Sequence, residues 1–381
     1  YLSYLRDQQE AMVEELGRYV CIESGSREKA GVDQVGREVS KAFAALGFTI
    51  ERIESATCGD HLVARRTGNG RGRLLALIHL DTTWPSGSLA ENPFRVEAGR
   101  AYGPGIRDMK GGWVVLLGAL RALRHAGWDG LAQTTVFLTG DEELGSVSGR
   151  PWIEHEGRQA DWVVVMEPAR ADGNLVTSRG MVGAVSFEVR GQAVHNTERS
   201  RGSSAIAEAA HQILALEALN DVERGVLVSV GLIDGGTARQ ILPDRAHLSI
   251  DLRAPDTRAA EELVERVRAI AAQPTVPGTS TSMSGGITRP AMETSAGSQR
   301  MLRLAQQVGR ELGLSLDATH TRSGSDGSFT GAMGVPTLDG LGPESAGGAG
   351  RSENVLVASL PRRAALLAGI IRGLPDLLDQ D

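Results

Sequence analysis

The chain has 381 residues, 41% of them hydrophobic and 23% charged, with a formal net charge of −7. At roughly 150 residues per domain this predicts two domains, or one split by an insertion, with a sizeable core. The acidic balance argues against nucleic acid as a partner, because no domain-scale basic excess is there to neutralise phosphates.

Leu2, Leu5, Met12, Val13, Leu16 and Val20 recur at helical spacing, and Val35, Val39, Phe43 and Leu46 do so again before Gly47, so two helices open the chain. Strands follow over 48–53, 61–65 and 74–80, then a helix over 112–125 stopped by Gly127, then strands over 134–138 and 162–166. Alternation of apolar strands with helices predicts an α/β domain with a mixed, mostly parallel sheet buried on both faces. After Gly180 the order becomes strand 184–190, helix 204–219, strands 226–232 and 246–252 and helix 258–272, with clean alternation at Leu248, Ile250 and Leu252. This is the pattern of a small inserted α+β domain with one sheet face exposed. From about Thr288 a helix (301–312), an apolar strand (335–341), a Gly-rich loop (340–350) and a final amphipathic helix (361–374) return to the first domain. The expected domains are 1–179 and 289–381 for the first, and 180–288 for the insertion.

The longest strongly apolar run, 113–120, is followed by Arg121 and Arg124 and falls short of the roughly 18 residues of a membrane span, so no membrane partner is expected. Two cysteines, Cys21 and Cys58, are too few for a disulfide framework or a structural zinc site. Localisation stays open: the cytoplasm is slightly favoured, and a trimmed signal peptide ahead of Tyr1 is the alternative.

Open α/β sheets gather functional groups beyond the carboxyl ends of their strands. Four such ends carry titratable residues: His79-Leu-Asp81; Asp108 in the segment before the 112–125 helix; Asp141, Glu142 and Glu143 after Gly140; and Glu167 before Pro168. One histidine and several carboxylates suit a borderline divalent cation such as zinc. Asp81, two residues past His79, lies on the same side of the chain and is placed to accept the other imidazole N–H. Any one of these fragments is common in chains that bind nothing; their joint order carries the reading.

With those residues in place the sequence resembles the M20 metallopeptidase family, most closely its glutamate carboxypeptidase branch, the carboxypeptidase G2-like enzymes. The resemblance runs over nearly the whole chain and rests on His79-Leu-Asp-Thr-Thr-Trp-Pro, Ala101-Tyr-Gly-Pro-Gly-Ile-Arg-Asp-Met-Lys-Gly-Gly112, Asp141-Glu-Glu-Leu-Gly-Ser146, Met166-Glu-Pro168 and Ser323-Gly-Ser-Asp-Gly. It implies a two-metal zinc hydrolase in which His79, Asp108 and Glu167 hold one metal, Asp108 bridges, and Glu143 serves the other. Glu142 is then the general base, supported by Asp81. The insertion matches the family's lid, which implies a homodimer. Within it, His195 matches the histidine that stabilises the oxyanion, often across the dimer, and Arg253 the arginine that grips a substrate carboxylate; Gln240 and Ser325 fall at substrate contacts.

Two departures stand out. Gln240 replaces the usual Asn, and the loop that should supply the last metal-binding histidine reads Glu344-Ser-Ala-Gly-Gly-Ala-Gly-Arg-Ser-Glu353. The expected position falls near Ala349 or Gly350, and no histidine follows His320. One zinc is therefore expected to bind firmly and a second weakly, with manganese or cobalt as alternatives. The leading expectation is a zinc-dependent amidohydrolase or carboxypeptidase cleaving an amide or peptide bond next to a free carboxylate. The rivals are an impaired homologue with a degenerate second site, a binder of a carboxylated ligand, and a catalyst of non-hydrolytic amide chemistry.

Overall fold

A computed structural model describes residues 1–170, 172–348 and 350–379. The chain divides into two units: Tyr1–Thr177 with Thr294–His320 and Ser325–Asp381, and Ser178–Glu293 with Thr321–Gly324.

The first unit is built on a six-stranded sheet in the order Thr49–Ile53, His61–Thr67, Gln133–Thr139, Arg73–His79, Trp162–Val165, Thr337–Leu338. The last four run parallel, and the two outer strands on the other side are antiparallel to their neighbours. The central strands are apolar on both faces, as a sheet covered on both sides requires. The helix Gly111–His125 lies against one face and Ser359–Gly373 packs on it, and Trp113 through Leu117 are fully buried. A smaller sheet orders Ser345–Ala346, Asn354–Leu356, Arg100–Tyr102 and Arg95–Glu97, so part of the segment read as a loop over 340–350 is a short paired strand. The expected strand over 335–341 shrinks to two residues, Thr337–Leu338. The opening helix is two, Leu2–Asp7 and Gln9–Val20, parted at Gln8.

Buried Arg363 braces the loop beyond the last strand. Its guanidinium donates to the carbonyls of Gly342, Gly340 and Gly173 at 2.9, 2.6 and 2.9 Å, and Gly342 N–H in turn donates to the carbonyl of Glu167 at 2.8 Å. Burial pulls this guanidinium down to about 10, against the pull of Glu344.

The second unit is a four-stranded antiparallel sheet, ordered Leu227–Gly235, Arg245–Ala254, Met181–Arg190, Ser280–Arg289. Helices Ala205–Glu217 and Thr257–Ala272, capped by Ser204 and Asp256 through the N–H groups of Ala207 and Ala259, cover one face. The unit extends past the expected 288 to Glu293, because Ser280–Arg289 is a full strand that pairs antiparallel with Met181–Arg190, with one register shift between Ile287 and Arg289. Its Ser- and Gly-rich sequence lacks the alternation that marks a half-buried strand. No helix among the described residues is long and apolar enough to cross a membrane.

Candidate metal centre

The acidic site belongs to the first unit and sits where the parallel strands end. His79 is the last residue of Arg73–His79 and is almost fully buried. Its carbonyl accepts from Trp113 Nε1 at 3.0 Å, and its own N–H donates to the Met109 sulfur at 3.0 Å. Imidazole Nε2 lies 3.1 Å from Asp108 Oδ1 and 3.8 Å from Glu167 Oε1. Donor atoms of His79, Asp108 and Glu143 all lie within 4.8 Å of one another. The four residues expected to hold metal are thus gathered around one imidazole.

Nδ1 of His79 faces the carbonyl of Asp81 at 2.9 Å, while the Asp81 carboxylate stands 3.6 Å away. The expected tautomer-fixing partner is therefore the backbone oxygen first. The carboxylate of Asp81 holds the acidic turn: Oδ1 accepts from Glu142 N–H at 3.0 Å and Oδ2 from Glu143 N–H at 3.1 Å. Two adjacent backbone donors on one fully buried carboxylate fix where both glutamates start from the chain.

Asp108 is positioned by a residue outside the expected set. Glu353, 1% exposed, accepts at Oε1 from the N–H groups of Arg107 and Asp108 at 2.8 and 3.2 Å, and at Oε2 from Trp84 Nε1 and Gly105 N–H at 2.6 and 3.3 Å. The turn Ile106–Lys110 is thereby tied to the strand Asn354–Leu356 that follows Glu353. Gly105, at φ +69°, is required there, since a Cβ would stand 2.5 Å from the Thr82 side chain. Sequence reasoning missed the role of Glu353 because three of its four donors are backbone N–H groups, which leave no spacing pattern.

Ser325 does not line an open site. It is fully buried, its hydroxyl donates to Asp339 Oδ2 at 2.6 Å and accepts from Gly327 N–H at 3.1 Å, so it braces its own loop rather than meeting a substrate. In the second unit, exposed His195 and Gln240 are brought side by side: the strand Val194–His195 pairs with Ile241–Leu242, and Asn196 N–H donates to the Gln240 carbonyl at 2.9 Å. His195 Nδ1 meets Thr197 Oγ1 at 2.8 Å. Arg253 spends its fork on Asp251, at 2.8 and 2.9 Å. The Gly-rich loop position Ala349 lies outside the described residues, and a Cβ at Gly350 would meet nothing within 4 Å. His320 belongs to neither of the two metal-competent groups found among the described residues.

The donor set suits a divalent cation on electrostatic grounds. Burial, with Asp108, Glu142 and Asp81 close by, pushes the Glu143 carboxyl up to about 9 despite the opposing His79. His79 is held well above its usual value; burial acts against this, and the hydrogen bonds to Asp108 and Asp81 and the charge of Glu142 outweigh it. Concentrated negative charge of this kind is relieved by protons or by a cation.

A stability prediction follows. In metal-free protein both groups titrate higher folded than unfolded, so their contribution is complete below the unfolded values of 4.5 and 6.5; the share of Glu143 is lost as pH rises towards 9 and that of His79 as pH rises through its raised value. Melting temperature in chelator should fall between about pH 5.5 and 9, and added Zn²⁺ should restore it by a margin that widens with pH. Chelated protein as stable at the upper limit as at the lower would overturn this electrostatic account.

Comparison with known proteins agrees with this geometry. Residues 75–373 match the model of Peptidase family M20/M25/M40. The chain is 30% identical over 374 residues to carboxypeptidase G2 of Pseudomonas sp. (strain RS-16), covering 97% of this chain and 90% of that one. Aminopeptidase PepT from Bacillus cereus ATCC 10987 has a similar fold, with TM-score 0.79 at 20% identity over 96% of this chain and 98% of that one. So does the Bacillus subtilis YXEP protein, described as a dinuclear metal-binding peptidase, with TM-score 0.68 at 14% identity over 97% and 99%. With a histidine and carboxylates gathered at its strand ends, the chain belongs to Peptidase family M20/M25/M40 as one of its metallohydrolases.

Proposed function

We propose that this chain is a zinc-dependent amidohydrolase or carboxypeptidase, cleaving an amide or peptide bond next to a free carboxylate in the manner of a glutamate carboxypeptidase. The observation that carries the reading is Glu142: a nearly buried carboxylate beside the gathered donors of His79, Asp108 and Glu143, its N–H pinned by Asp81. Cations held by His79, Asp108, Glu167 and Glu143 would supply Lewis acidity for the substrate carbonyl and make water a competent nucleophile at neutral pH. Glu142 takes the proton from the attacking water and returns it to the leaving amine, the work of a carboxylate free to shuttle protons. Similarity to carboxypeptidase G2 supports a substrate with a carboxylate beside the scissile bond. Arg253 is the candidate grip, exchanging Asp251 for the substrate's carboxylate in a bidentate pair. His195 and Gln240, held side by side, are the candidate oxyanion and substrate contacts.

Release of amino acid from N-acyl-glutamates and dipeptides in the presence of Zn²⁺ tests the reaction. Glu142→Gln should lower kcat by about 10²–10⁴-fold, as loss of a general base does, while metal content stays at the parent level. No turnover on any of these substrates by folded, metal-loaded protein would overturn the hydrolase reading.

A second reading, a homologue with a degenerate second metal site, is favoured by the loop 344–353, which holds no histidine. Zinc content by elemental analysis should be close to one per chain after purification. Ala349→His or Gly350→His should raise it towards two and raise the hydrolytic rate with it. Two tightly held zinc ions in the parent chain would reject the degenerate site.

The second unit supports a homodimer. The edge strand Leu227–Gly235 exposes Leu232 and Ile233, and the neighbouring helix Ala205–Glu217 exposes Leu214, at 69%, 55% and 72%. An unpaired strand edge beside exposed apolar side chains is suited to self-pairing across a two-fold axis. Sedimentation at micromolar concentration should show a dimer that Leu232→Glu with Leu214→Glu dissociates; a parent chain sedimenting at its 40.3 kDa monomer mass would reject it.

A further inference from the structure

The turn that presents Glu142 and Glu143 leaves the sheet at Gly140 and ends at Ser148, and one ring joins its two ends. His61 opens the strand His61–Thr67, beside Gln133–Thr139, and is 1% exposed, stacked on Phe137 with ring centroids 5.9 Å apart. Its Nδ1 accepts from Gly140 N–H at 2.9 Å, and its Nε2 lies 2.9 Å from Ser148 Oγ. A backbone N–H can only donate, so Nδ1 is bare and the ring proton sits on Nε2, which donates to Ser148. Ser148 passes both its own hydrogens on, donating from N–H and Oγ to Asp141 Oδ2 at 2.7 and 2.8 Å. Asp141 immediately precedes Glu142, and its carbonyl accepts from Leu144 and Ser146 N–H within the turn.

The geometry points to His61 as a positioning residue for this turn: a neutral Nε2–H imidazole that ties Gly140 to Ser148 and so sets where Glu142 and Glu143 stand. The inference deepens the reading of Glu142 as base and Glu143 as metal ligand and rests on it. Burial holds the ring's pKa below the ordinary histidine value although Asp141, Asp326, Asp81 and Asp60 pull the other way, which keeps the bare Nδ1 that Gly140 needs. Two other braces share the load: Asp81 on the N–H groups of Glu142 and Glu143, and Asp326 on the hydroxyls of Thr139 and Ser146. Asp326 spans the turn from Thr139 to Ser146, and His61 spans it from Gly140 to Ser148.

The same ring has a competing interpretation. Cys58, His61 and Asp141 offer sulfur, nitrogen and oxygen donors within 4.8 Å of one another, and Asp141 Oδ1 is buried without a hydrogen-bond partner. With Nδ1 committed to Gly140 and Nε2 protonated, the imidazole has no lone pair to give a metal. Cys58 Sγ, for its part, donates to the Gly59 carbonyl at 3.2 Å.

Three measurements decide. Nitrogen-15 NMR of the full chain at neutral pH should show His61 as the Nε2–H tautomer. His61→Phe keeps the ring and its stacking but removes both hydrogen bonds; it should lower kcat at least tenfold with KM within about threefold, and weaken cobalt(II) binding by about 10–100-fold. His61→Asn, which returns an acceptor to Gly140, should recover part of both losses. An Nδ1–H tautomer, or a folded His61→Phe protein with parental kcat and cobalt affinity, would overturn the inference. So would a sulfur-to-cobalt charge-transfer band abolished by Cys58→Ser, which would make the trio a metal centre. Should His61→Phe fail to fold, the tautomer and His61→Asn still decide. A parent chain that hydrolyses none of the substrates defeats the proposed reaction, while tautomer and cobalt titration continue to test His61.

Discussion

Carboxylates crowded into a dry volume repel one another, and much of the first unit is arranged to hold them there nonetheless. Asp81, Glu142, Glu143 and Glu167 follow the ends of neighbouring parallel strands, where the chain leaves the sheet and side chains can converge, and Asp108 joins them from the turn Ile106–Lys110. Around them the dominant donors are backbone N–H groups: two on Asp81, three on Glu353, one on Asp141. Such donors do not titrate, so they support a negative charge at every pH without adding a mobile positive one.

This arrangement separates the two adjacent glutamates. Their N–H groups are held by the two oxygens of one carboxylate, so their side chains begin from nearly fixed points yet meet different surroundings. Glu143 is drawn into the group around His79, and burial pushes its carboxyl up to about 9. Glu142, 9% exposed, starts from the neighbouring N–H on the same Asp81 carboxylate. The difference between neighbours in sequence thus comes from their surroundings and not from residue type.

Glu353 and Arg363 show how distant parts of the chain support that geometry. Both are charged, nearly fully buried and bonded mainly to backbone, one as acceptor and the other as donor. Glu353 shapes the turn that carries Asp108. Arg363 braces the loop whose Gly342 N–H holds the carbonyl of Glu167. Burying either charge is costly, and several short bonds offset the cost only because the loops they hold have no regular secondary structure to satisfy them.

Read by itself, the sequence determined the α/β class, the parallel strands and the residues at their ends. Apolar periodicity is a local property, and a strand's final residues are known once its apolar run stops. His79, Glu143 and Glu167 were legible as strand-end residues for the same reason, while Asp108 and the choice of these four as metal ligands came from the resemblance of their motifs to the M20 family. Tertiary structure alone decided what each side chain meets. It turned Ser325 inward to Asp339, gave Arg253's fork to Asp251, and set the backbone carbonyl of Asp81, rather than its carboxylate, nearest to His79 Nδ1. It also revealed Ser280–Arg289 as a strand, since neighbours can impose extension on a Ser- and Gly-rich segment whose own composition does not ask for it. His61 and Glu353 belong to this second class: besides their bonds to Ser148 and Trp84 they accept from backbone N–H groups 79 and about 250 residues away, and a hydrogen bond to a backbone group leaves no periodicity in the sequence that makes it.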